Sequence, residues 1–424
     1  MVLGKGLRRL SGLVCIALVA GACSVQDSGG DASSPTDSRQ VADNAGLRGE
    51  PVVIGSMFPV SAPLSTFPQL PYMARIAVRS VNAAGGIKGR PLTWVHCDDK
   101  GDPNVAAKCA DQLVHQKKVT ALVESVGLQG NIAWPVLKKA DIINWFNVPI
   151  WPDDFTSPLS YPAGLGIHAH QNMGLLVKRG EFKKVACMTG QGATAAKLCG
   201  FARDSLAAKG VKDFKTISWP TDTTTFQPYA AKVMADRYDA VVMAVGDALA
   251  APVLQSLADM DADVTVLAPS TSIGTQSLKA ARENGIPLRV ASSWATDPAR
   301  NAARKRMLDS VEKYGPSVGV PPDFDTLSDN AFNMYQGVMS LAAVMNGATS
   351  LKTADLQAYI AAHPTATGAA PPLDWTKPGP LPGFSRIVQV HAAPARLEED
   401  GDLTPATDTW RSVFPGVHDV KCCS

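Results

Sequence analysis

Short apolar segments alternate with longer segments of helical periodicity from residue 52 onwards. Runs of apolar residues without strict alternation predict strands that are buried on both faces. These runs lie at residues 52–58, 92–96, 119–124, 142–146, 184–188, 214–219, 238–245, 264–268 and 288–292. Helical segments separate most of them, and regular alternation of strand and helix predicts an α/β fold with parallel sheets.

The carboxyl-terminal part of the chain has a different pattern. Residues 298–363 are predicted to be helical, and Met334, Val338, Leu341 and Val344 fall on one face of a helix, as core residues do. Proline and glycine are frequent over residues 364–382 and exclude long regular elements there. Residues 387–391 predict an edge strand.

The segment 78–103, VRSVNAAGGIKGRPLTWVHCDDKGDP, combines several of these elements. Its first helix is predicted to end at Gly85 and Gly86, since glycine best adopts the left-handed conformation at a helix C-terminus. A strand follows at 92–96, then the polar residues Asp98 and Asp99. Pro103 is typical of the first position of the next helix.

This segment resembles the signature of the leucine/isoleucine/valine-binding protein family, the type I extracellular solute-binding proteins of ATP-binding-cassette (ABC) importers. The resemblance extends more weakly over residues 51–393 and depends on Gly85, Gly86, Gly89, Asp98, Asp99, Asp102 and Pro103. It implies two Rossmann-like lobes with parallel sheets, joined by a three-strand hinge, that close on a small ligand. The alternative is an ordinary α/β turn with solvated acids.

The resemblance also implies domain boundaries. The first lobe would comprise residues 51–168 and 297–365, and the second lobe residues 169–296 and 366–395. Residues 295–297 would form the second of three crossings between the lobes. Residues 396–424 are predicted to be a loosely attached tail.

The amino terminus predicts export. Residues 1–23 place Lys5, Arg8 and Arg9 before a short apolar run that ends in small residues, as in a secretory signal. The closing residues, Ala-Gly-Ala-Cys23, resemble a bacterial lipoprotein processing site, which implies a lipid on Cys23. Residues 24–50 are polar and predict a disordered tether. A soluble secreted protein is the alternative to a lipid-anchored one on the outer face of the membrane.

Charge and hydropathy exclude other classes. The formal net charge is only +2, from 40 basic and 38 acidic side chains, so no strong field would recruit nucleic acid. After the signal, no apolar run approaches the ~20 residues of a transmembrane helix. We expect a monomeric mature body whose partners are a small molecule and a permease.

Cysteine positions support export. Cys97 and Cys109 are twelve residues apart, as are Cys187 and Cys199. In each pair the first cysteine closes a predicted strand and the second lies in the following helix, so we predict two disulfides that staple equivalent loops. Zinc is disfavoured because paired C-x-x-C motifs are missing. The adjacent Cys422 and Cys423 are compatible with a vicinal bond, an interchain link or a frayed end.

No catalytic motif was found. The sequence lacks a G-x-S-x-G elbow, an H-E-x-x-H motif, a P-loop and a dinucleotide-binding fingerprint. Asp98 and Asp99 are adjacent on an extended chain and would point to opposite faces, so a solvated turn is favoured over an acid/base pair. His168 and His170 could point the same way from a strand but have no third ligand nearby. We therefore expect no enzyme activity, cofactor or metal.

Ligand-binding candidates follow from the resemblance. In relatives that bind amino acids, the loops after the third and fourth strands supply hydroxyl groups. The corresponding candidates here are Ser125, with Gln129 and Asn131 as alternatives, and Asn147. Each could instead be a capping or packing residue.

The second lobe of such relatives supplies an aromatic residue and an acid for the ligand's ammonium group. Thr189 and Gln191 lie in the loop where relatives often carry tyrosine, Asp247 is the nearest acid, and Trp294 could stack over a ligand. These departures leave the ligand open among amino acids, amides, peptide fragments, aromatic acids and lipid-derived solutes.

The sequence therefore predicts a non-enzymatic, lipid-anchored protein that delivers a small polar solute, an amino acid or related compound, to an ABC permease. One alternative is a sensor that presents its ligand to a membrane receptor. Another is an exported hydrolase without recognisable motifs. Neither the ligand nor the choice between transport and sensing follows from these residues.

Overall fold

The first half of the chain is built on a five-stranded parallel sheet. The computed structural model describes residues 46–62, 66–294, 301–322, 324–365, 367, 370–398, 403–405 and 409–421. The strands are β1 (Val52–Met57), β2 (Leu92–Cys97), β3 (Ala121–Val123), β4 (Asn144–Trp145) and β5 (Ser160–Tyr161). They are ordered β2-β1-β3-β4-β5, and all neighbouring pairs are parallel.

Four helices connect these strands: α1 (Leu70–Ala83), α2 (Pro103–Asp111), α3 (Gly130–Ala140) and α4 (Pro152–Thr156). A π-helical turn over Gln112–Gln116 extends α2. Local sequence explains the ends of the first two. Gly86 has φ = 65° and its N–H donates to the Val81 carbonyl at 3.0 Å, which closes α1 as predicted. The Asp102 carboxylate caps α2 by accepting from the N–H groups of Asn104 and Val105.

The second half forms a larger sheet with the order β12-β11-β10-β9-β8-β6-β7. In chain order these strands are β6 (Lys184–Gly190), β7 (Asp213–Trp219), β8 (Ala240–Met243), β9 (Thr265–Pro269), β10 (Leu288–Ser292), β11 (Ala393–Leu397) and β12 (Leu403–Pro405). β6 to β10 are parallel, whereas β11 and β12 add antiparallel to that edge. The helices of this half are α5 (Ala193–Ala207), α6 (Gln227–Ala235), α7 (Asp247–Asp259) and α8 (Thr275–Glu283).

Three further helices, α9 (Ala302–Val318), α10 (Asp329–Gly347) and α11 (Thr353–Ala362), follow the second sheet in sequence. They share a hydrophobic core with β1 to β4, and α9 and α10 pack on α1. The predicted core residues of α10, Met334, Val338, Leu341 and Val344, are all buried. Below, "first lobe" means the five-stranded sheet with α1–α4 and α9–α11, and "second lobe" means the seven-stranded sheet with α5–α8.

The predicted fold class is confirmed: two α/β lobes with parallel sheets form the described part of the chain. Both predicted disulfides are also present. Cys97–Cys109 and Cys187–Cys199 join Cα atoms that are 5.5 Å and 5.8 Å apart, and each links a strand to the helix that follows it.

The carboxyl-terminal predictions need correction. Residues 387–391 form no strand, because Ile387 and Val390 pack into a small separate cluster with Phe155 and Leu165. The added strand is β11, six residues further on. Part of the predicted loose tail is also structured: Leu403 is buried in the second core, and Trp410 is buried in a ribbon formed by β13 (Thr409–Trp410) and β14 (Val420–Lys421).

Several predictions concern residues outside the described ranges. These include the signal and tether, the lipid-bearing Cys23, the crossing at 295–297, and Cys422 and Cys423. Within the ranges that the structure describes, none of the helices combines the length and apolar character needed to cross a bilayer.

Candidate functional site

A cavity lies between the two lobes, beside the carboxyl ends of strands from both sheets. The empty space there measures about 420 Å³, a figure that includes volume open to solvent. The first lobe contributes the loop after β4 and the start of α10, and the second lobe contributes the exits of β9 and β10. Ligands of parallel α/β sheets bind at such edges. The cavity is therefore the candidate binding site.

The loop after β4 is held in place by one buried carboxylate. Asp154 accepts hydrogen bonds from the N–H groups of Ile150 and Trp151, from Trp134 Nε1 and from Asn147 Nδ2, at 2.8–3.1 Å. Burial raises the pKa of Asp154, and these donors oppose the shift. These hydrogen bonds hold the loop in place where it forms a wall of the cavity.

Asn147, a predicted ligand residue, lines the cavity. Its amide is engaged at both ends, since Nδ2 donates to Asp154 and Oδ1 accepts from the Ser160 hydroxyl at 3.3 Å. Asn147 therefore shapes the wall and presents little free hydrogen-bonding capacity.

Trp294, also predicted, forms an aromatic wall of the cavity. Its ring lies 6.3 Å from the ring of Phe146 in a stacked arrangement and 5.3 Å from that of Phe332 in an edge-to-face one. Both partners belong to the first lobe, so Trp294 spans the two lobes. The neighbouring hydroxyls of Thr271 and Ser293 also line the cavity.

The amino-terminal turns of α10 supply three cavity residues that the sequence analysis missed: Asp329, Asn330 and Asn333. Burial raises the pKa of Asp329 to about 6, and the nearby Ser270 hydroxyl and the charge of Arg304 oppose that shift. A helical projection of α10 could have identified these residues from the sequence. Asp329 and Asn333 lie one turn apart, with Asn330 beside them, at the start of a mostly apolar helix.

Glu124, directly after β3, lies behind this group. Its side chain is fully buried and accepts a hydrogen bond from Asn333 Nδ2. Burial raises the pKa of Glu124 well above its usual range, and the hydrogen bond from Asn333 opposes that shift.

The other predicted first-lobe residues lie outside the cavity lining. Ser125 is buried, and its Oγ accepts from the Met57 N–H at 3.4 Å. Gln129 donates through Nε2 to the Gly101 carbonyl at 3.0 Å. Both contacts tie neighbouring loops of the first lobe together.

Two predicted second-lobe residues also lie outside the lining. Thr189 is buried and donates its hydroxyl to the Ala244 carbonyl at 2.7 Å, which links the exits of β6 and β8. Gln191 is exposed, and its backbone N–H donates to the Trp219 carbonyl.

Asp247 joins the two lobes. From the start of α7, its Oδ2 accepts from Gln69 Nε2 at 3.1 Å and from the Ser328 hydroxyl at 3.3 Å, both in the first lobe. Burial and the nearby charge of Asp325 raise the pKa of Asp247 to about 6. A second link is made by Asp325, which accepts from the Thr275 N–H and hydroxyl at 3.1 Å and 2.7 Å.

The residues considered for acid/base or metal chemistry have structural roles. Asp98 accepts from the Val60 N–H and the Ser61 hydroxyl, whereas Asp99 is wholly buried, so the predicted solvated turn is wrong for Asp99. His168 and His170 lie in a 3₁₀ helix rather than a strand, with His168 packed against aromatic rings. In the described ranges, no group of three or more His, Cys, Asp or Glu side chains could hold a metal ion.

Comparison with known proteins gives consistent matches. A 351-residue alignment shows 26% identity with an amino acid binding protein of Pseudomonas aeruginosa, covering 78% of this chain and 87% of that protein.

Solved structures share the fold. A substrate-binding protein of an ABC transporter from Aeropyrum pernix superposes with a TM-score of 0.72 at 14% identity, over 87% of this chain and 97% of that one. A solute-binding protein from R. palustris in complex with 4-hydroxybenzoate gives a TM-score of 0.68 at 17% identity, over 88% and 98%.

The family model described as periplasmic binding protein matches residues 51–391, which span both lobes and the cavity between them. The resemblance carried by the segment 78–103 is thereby confirmed. The chain belongs to the periplasmic binding protein family of solute-binding proteins.

Proposed function

We propose that the protein captures a small polar solute, an amino acid or related compound, in the cavity between its lobes and delivers it to the permease of an ABC importer. The observation that carries the proposal is the cavity itself, which is lined by groups from both lobes at the carboxyl ends of their strands. A solute bound there would contact both lobes at once and would favour the closed arrangement.

The hydrogen bonds between the lobes support a closing mechanism. Asp247 accepts from Gln69 and Ser328, and Asp325 accepts from Thr275, so each lobe supplies both donors and an acceptor. These bonds can form only when the lobes approach each other. A permease that contacts both lobes would then distinguish the closed shape from an open one.

The residues that line the cavity are the proposed ligand residues. Asn147 and Trp294 line the cavity, while Ser125, Gln129 and Thr189 join neighbouring loops within their lobes. The relatives bind chemically different solutes, since one is named for amino acids and another holds 4-hydroxybenzoate. The family is extracytoplasmic, and a lipid on Cys23 would keep the protein close to its permease.

Small-angle X-ray scattering combined with thermal denaturation tests solute capture. Amino acids, amides, aromatic acids and short peptides would be screened, and a true ligand should raise the melting temperature and reduce the radius of gyration. In Asp247→Ala the unliganded protein should be more open. A ligand that stabilises the protein without any compaction, or that is chemically converted, would contradict the proposal.

Delivery and anchoring need separate measurements. The liganded protein should stimulate ATP hydrolysis by a reconstituted permease encoded beside its gene, whereas activation of a sensor kinase would favour the sensing alternative. Cys23→Ser should release the protein from the membrane fraction, and mass spectrometry of the mature amino terminus would show whether a lipid is attached.

A further inference from the structure

Two buried acceptor atoms at the start of α10 have no hydrogen-bond partner among the described residues. They are Asn333 Oδ1 and Asp329 Oδ2. Both residues line the cavity, and their exposed fractions are only 8% and 3%. Since an unpaired buried acceptor is costly, two of them one turn apart in a cavity wall indicate that a donor group belongs there.

The orientation of Asn333 is fixed by its neighbours. Its Nδ2 faces the Phe146 carbonyl at 3.1 Å and also donates to Glu124. A carbonyl can only accept, so the amide nitrogen and not the oxygen must point towards Phe146. The side-chain oxygen of Asn333 is therefore the atom left for a ligand.

The charge of the cavity wall disfavours anions. Among the described lining residues, Asp329 is the one ionisable group, and no lysine or arginine is present. Arg304 lies behind the wall, 1% exposed, with Nη2 donating to the Leu327 carbonyl. Its positive charge partly offsets that of Asp329, but its side chain does not line the cavity.

The start of α10 offers little compensation for an anion. The hydroxyl of Ser328 accepts from the Ala331 N–H, and Asp329 places a carboxylate in the first turn. Both reduce the positive potential that a helix amino terminus otherwise presents. A ligand carboxylate would thus meet Asp329 with no lining cation to offset it.

We propose that the cavity selects an uncharged solute that donates hydrogen bonds to Asn333 Oδ1 and Asp329 Oδ2, such as a carboxamide, and discriminates against carboxylates. The apolar part of the solute packs on Trp294. This inference rests on the proposed function and, for the same site, favours an uncharged relative of an amino acid, such as an amide, over the amino acid itself.

Benzamide and benzoate make a matched pair for the test, because they share a planar ring and differ in charge and in donor groups. Binding of each to the full mature protein would be measured by isothermal titration calorimetry at pH 7.5, with L-leucine as a zwitterionic reference. Benzamide should bind at least about tenfold more tightly than benzoate, as expected for one charge-assisted hydrogen bond gained and one repulsion avoided.

The variant Asp329→Asn keeps the size of the side chain and removes its charge. It should reduce the preference for benzamide over benzoate by about tenfold, mainly by improving benzoate binding. Asp309→Asn is the control, since Asp309 lies on the exposed face of α9 and pairs with Lys305. It should leave both affinities unchanged.

The outcomes separate the two proposals. Binding of benzoate or leucine in preference to benzamide would overturn the ligand class but leave solute capture intact. An unchanged preference in folded Asp329→Asn would overturn the assignment to α10. Failure of all three probes to bind at millimolar concentration would also overturn the ligand class, while the scattering screen would still decide whether any solute closes the lobes.

Discussion

The two lobes use different side-chain groups to hold the loops at the carboxyl ends of their strands. In the first lobe, a carboxyl group is bound at the exit of three successive strands: Asp98 after β2, Glu124 after β3 and Asp154 after β4. In the second lobe, hydroxyl groups take that place after β6 and β9, whereas Asp247 after β8 binds across to the first lobe. Thr189 at the end of β6 donates to Ala244, and Ser270 after β9 accepts from the Ser293 N–H at 3.0 Å.

The difference has mechanical consequences. A carboxylate has two oxygens that accept several N–H groups at once, so one side chain can organise a whole loop, whereas a hydroxyl usually secures one contact. Asp154 alone accepts four hydrogen bonds. We therefore expect the first-lobe edge to be rigid and pH-dependent, and the second-lobe edge to be more easily deformed.

Removal of the Asp154 carboxylate should have the largest effect on stability. Asp154→Ala leaves four buried or partly buried donors without an acceptor, and we expect a loss of about 3–5 kcal/mol in the free energy of unfolding, measured by urea denaturation. The control is Asp153→Ala, which removes a partly exposed ion pair with Lys138 and should cost less than about 1 kcal/mol. Equal losses in both variants would refute the special role of Asp154.

The two disulfides allow a direct comparison between lobes, because both close loops of the same length. Replacing either cystine pair by serines should lower stability by about 2–4 kcal/mol. The two loops should, however, differ in how far loss of the disulfide exposes their amides to hydrogen exchange. Without Cys187–Cys199, amide hydrogen exchange over residues 189–192 should accelerate strongly. Without Cys97–Cys109, residues 100–102 should stay protected, because the Lys100 N–H donates to Asp98 Oδ1, the Gly101 N–H to Asp99 Oδ1 and the Asp102 N–H to the Asp99 carbonyl. Similar acceleration in both loops would remove the proposed difference.

The local pattern of apolar and polar residues predicted the fold well where a segment's burial follows from its own sequence. The strand at Leu288–Ser292 has the predicted limits, and both cystines were predicted from their equal spacing and from their places in predicted strands and helices. The pattern failed at residues 387–391, where apolar residues fill a small cluster instead of a sheet. Sequence periodicity reports that a residue is buried, but not which core it enters.

The site was harder to predict because its groups are distant in sequence. Glu124 and Asn333 are separated by 209 residues, and Gln69 and Asp247 by 178. No local motif encodes such a contact. Asn147 and Trp294 were found because they directly follow strands, whereas Asp329 and Asn333 follow a loop between helices and lay outside that rule.

Buried carboxyl groups make the stability of both lobes pH-dependent, Asp329 in the first and Asp247 in the second. The pKa of Asp329, on the first-lobe helix α10, is about 6 in the folded protein against a normal value of 3.8. The folded state therefore holds this proton more tightly than the unfolded state, so the stability it provides is complete below about pH 4 and is lost as the pH rises through 6.

The matching experiment compares wild type with Asp329→Asn between pH 5 and pH 7. The group accounts for about 1–2 kcal/mol of stability over that range in the wild type, and the variant should lack this slope. Parallel stability curves for the two proteins would contradict the assignment. The hydroxyl of Thr189 does not titrate in this range, so its removal should leave the slope unchanged.

The smallest effect is expected at a second-lobe hydroxyl. Thr189→Val preserves shape but leaves the Ala244 carbonyl without its side-chain donor, so we expect a loss of about 1 kcal/mol, measured by urea denaturation. Thr216→Val on the exposed face of β7 is the control and should be neutral within about 0.5 kcal/mol. A loss at Thr189 as large as that at Asp154 would mean that a single hydroxyl organises its loop as strongly as a carboxylate, and the contrast between the lobes would then fail.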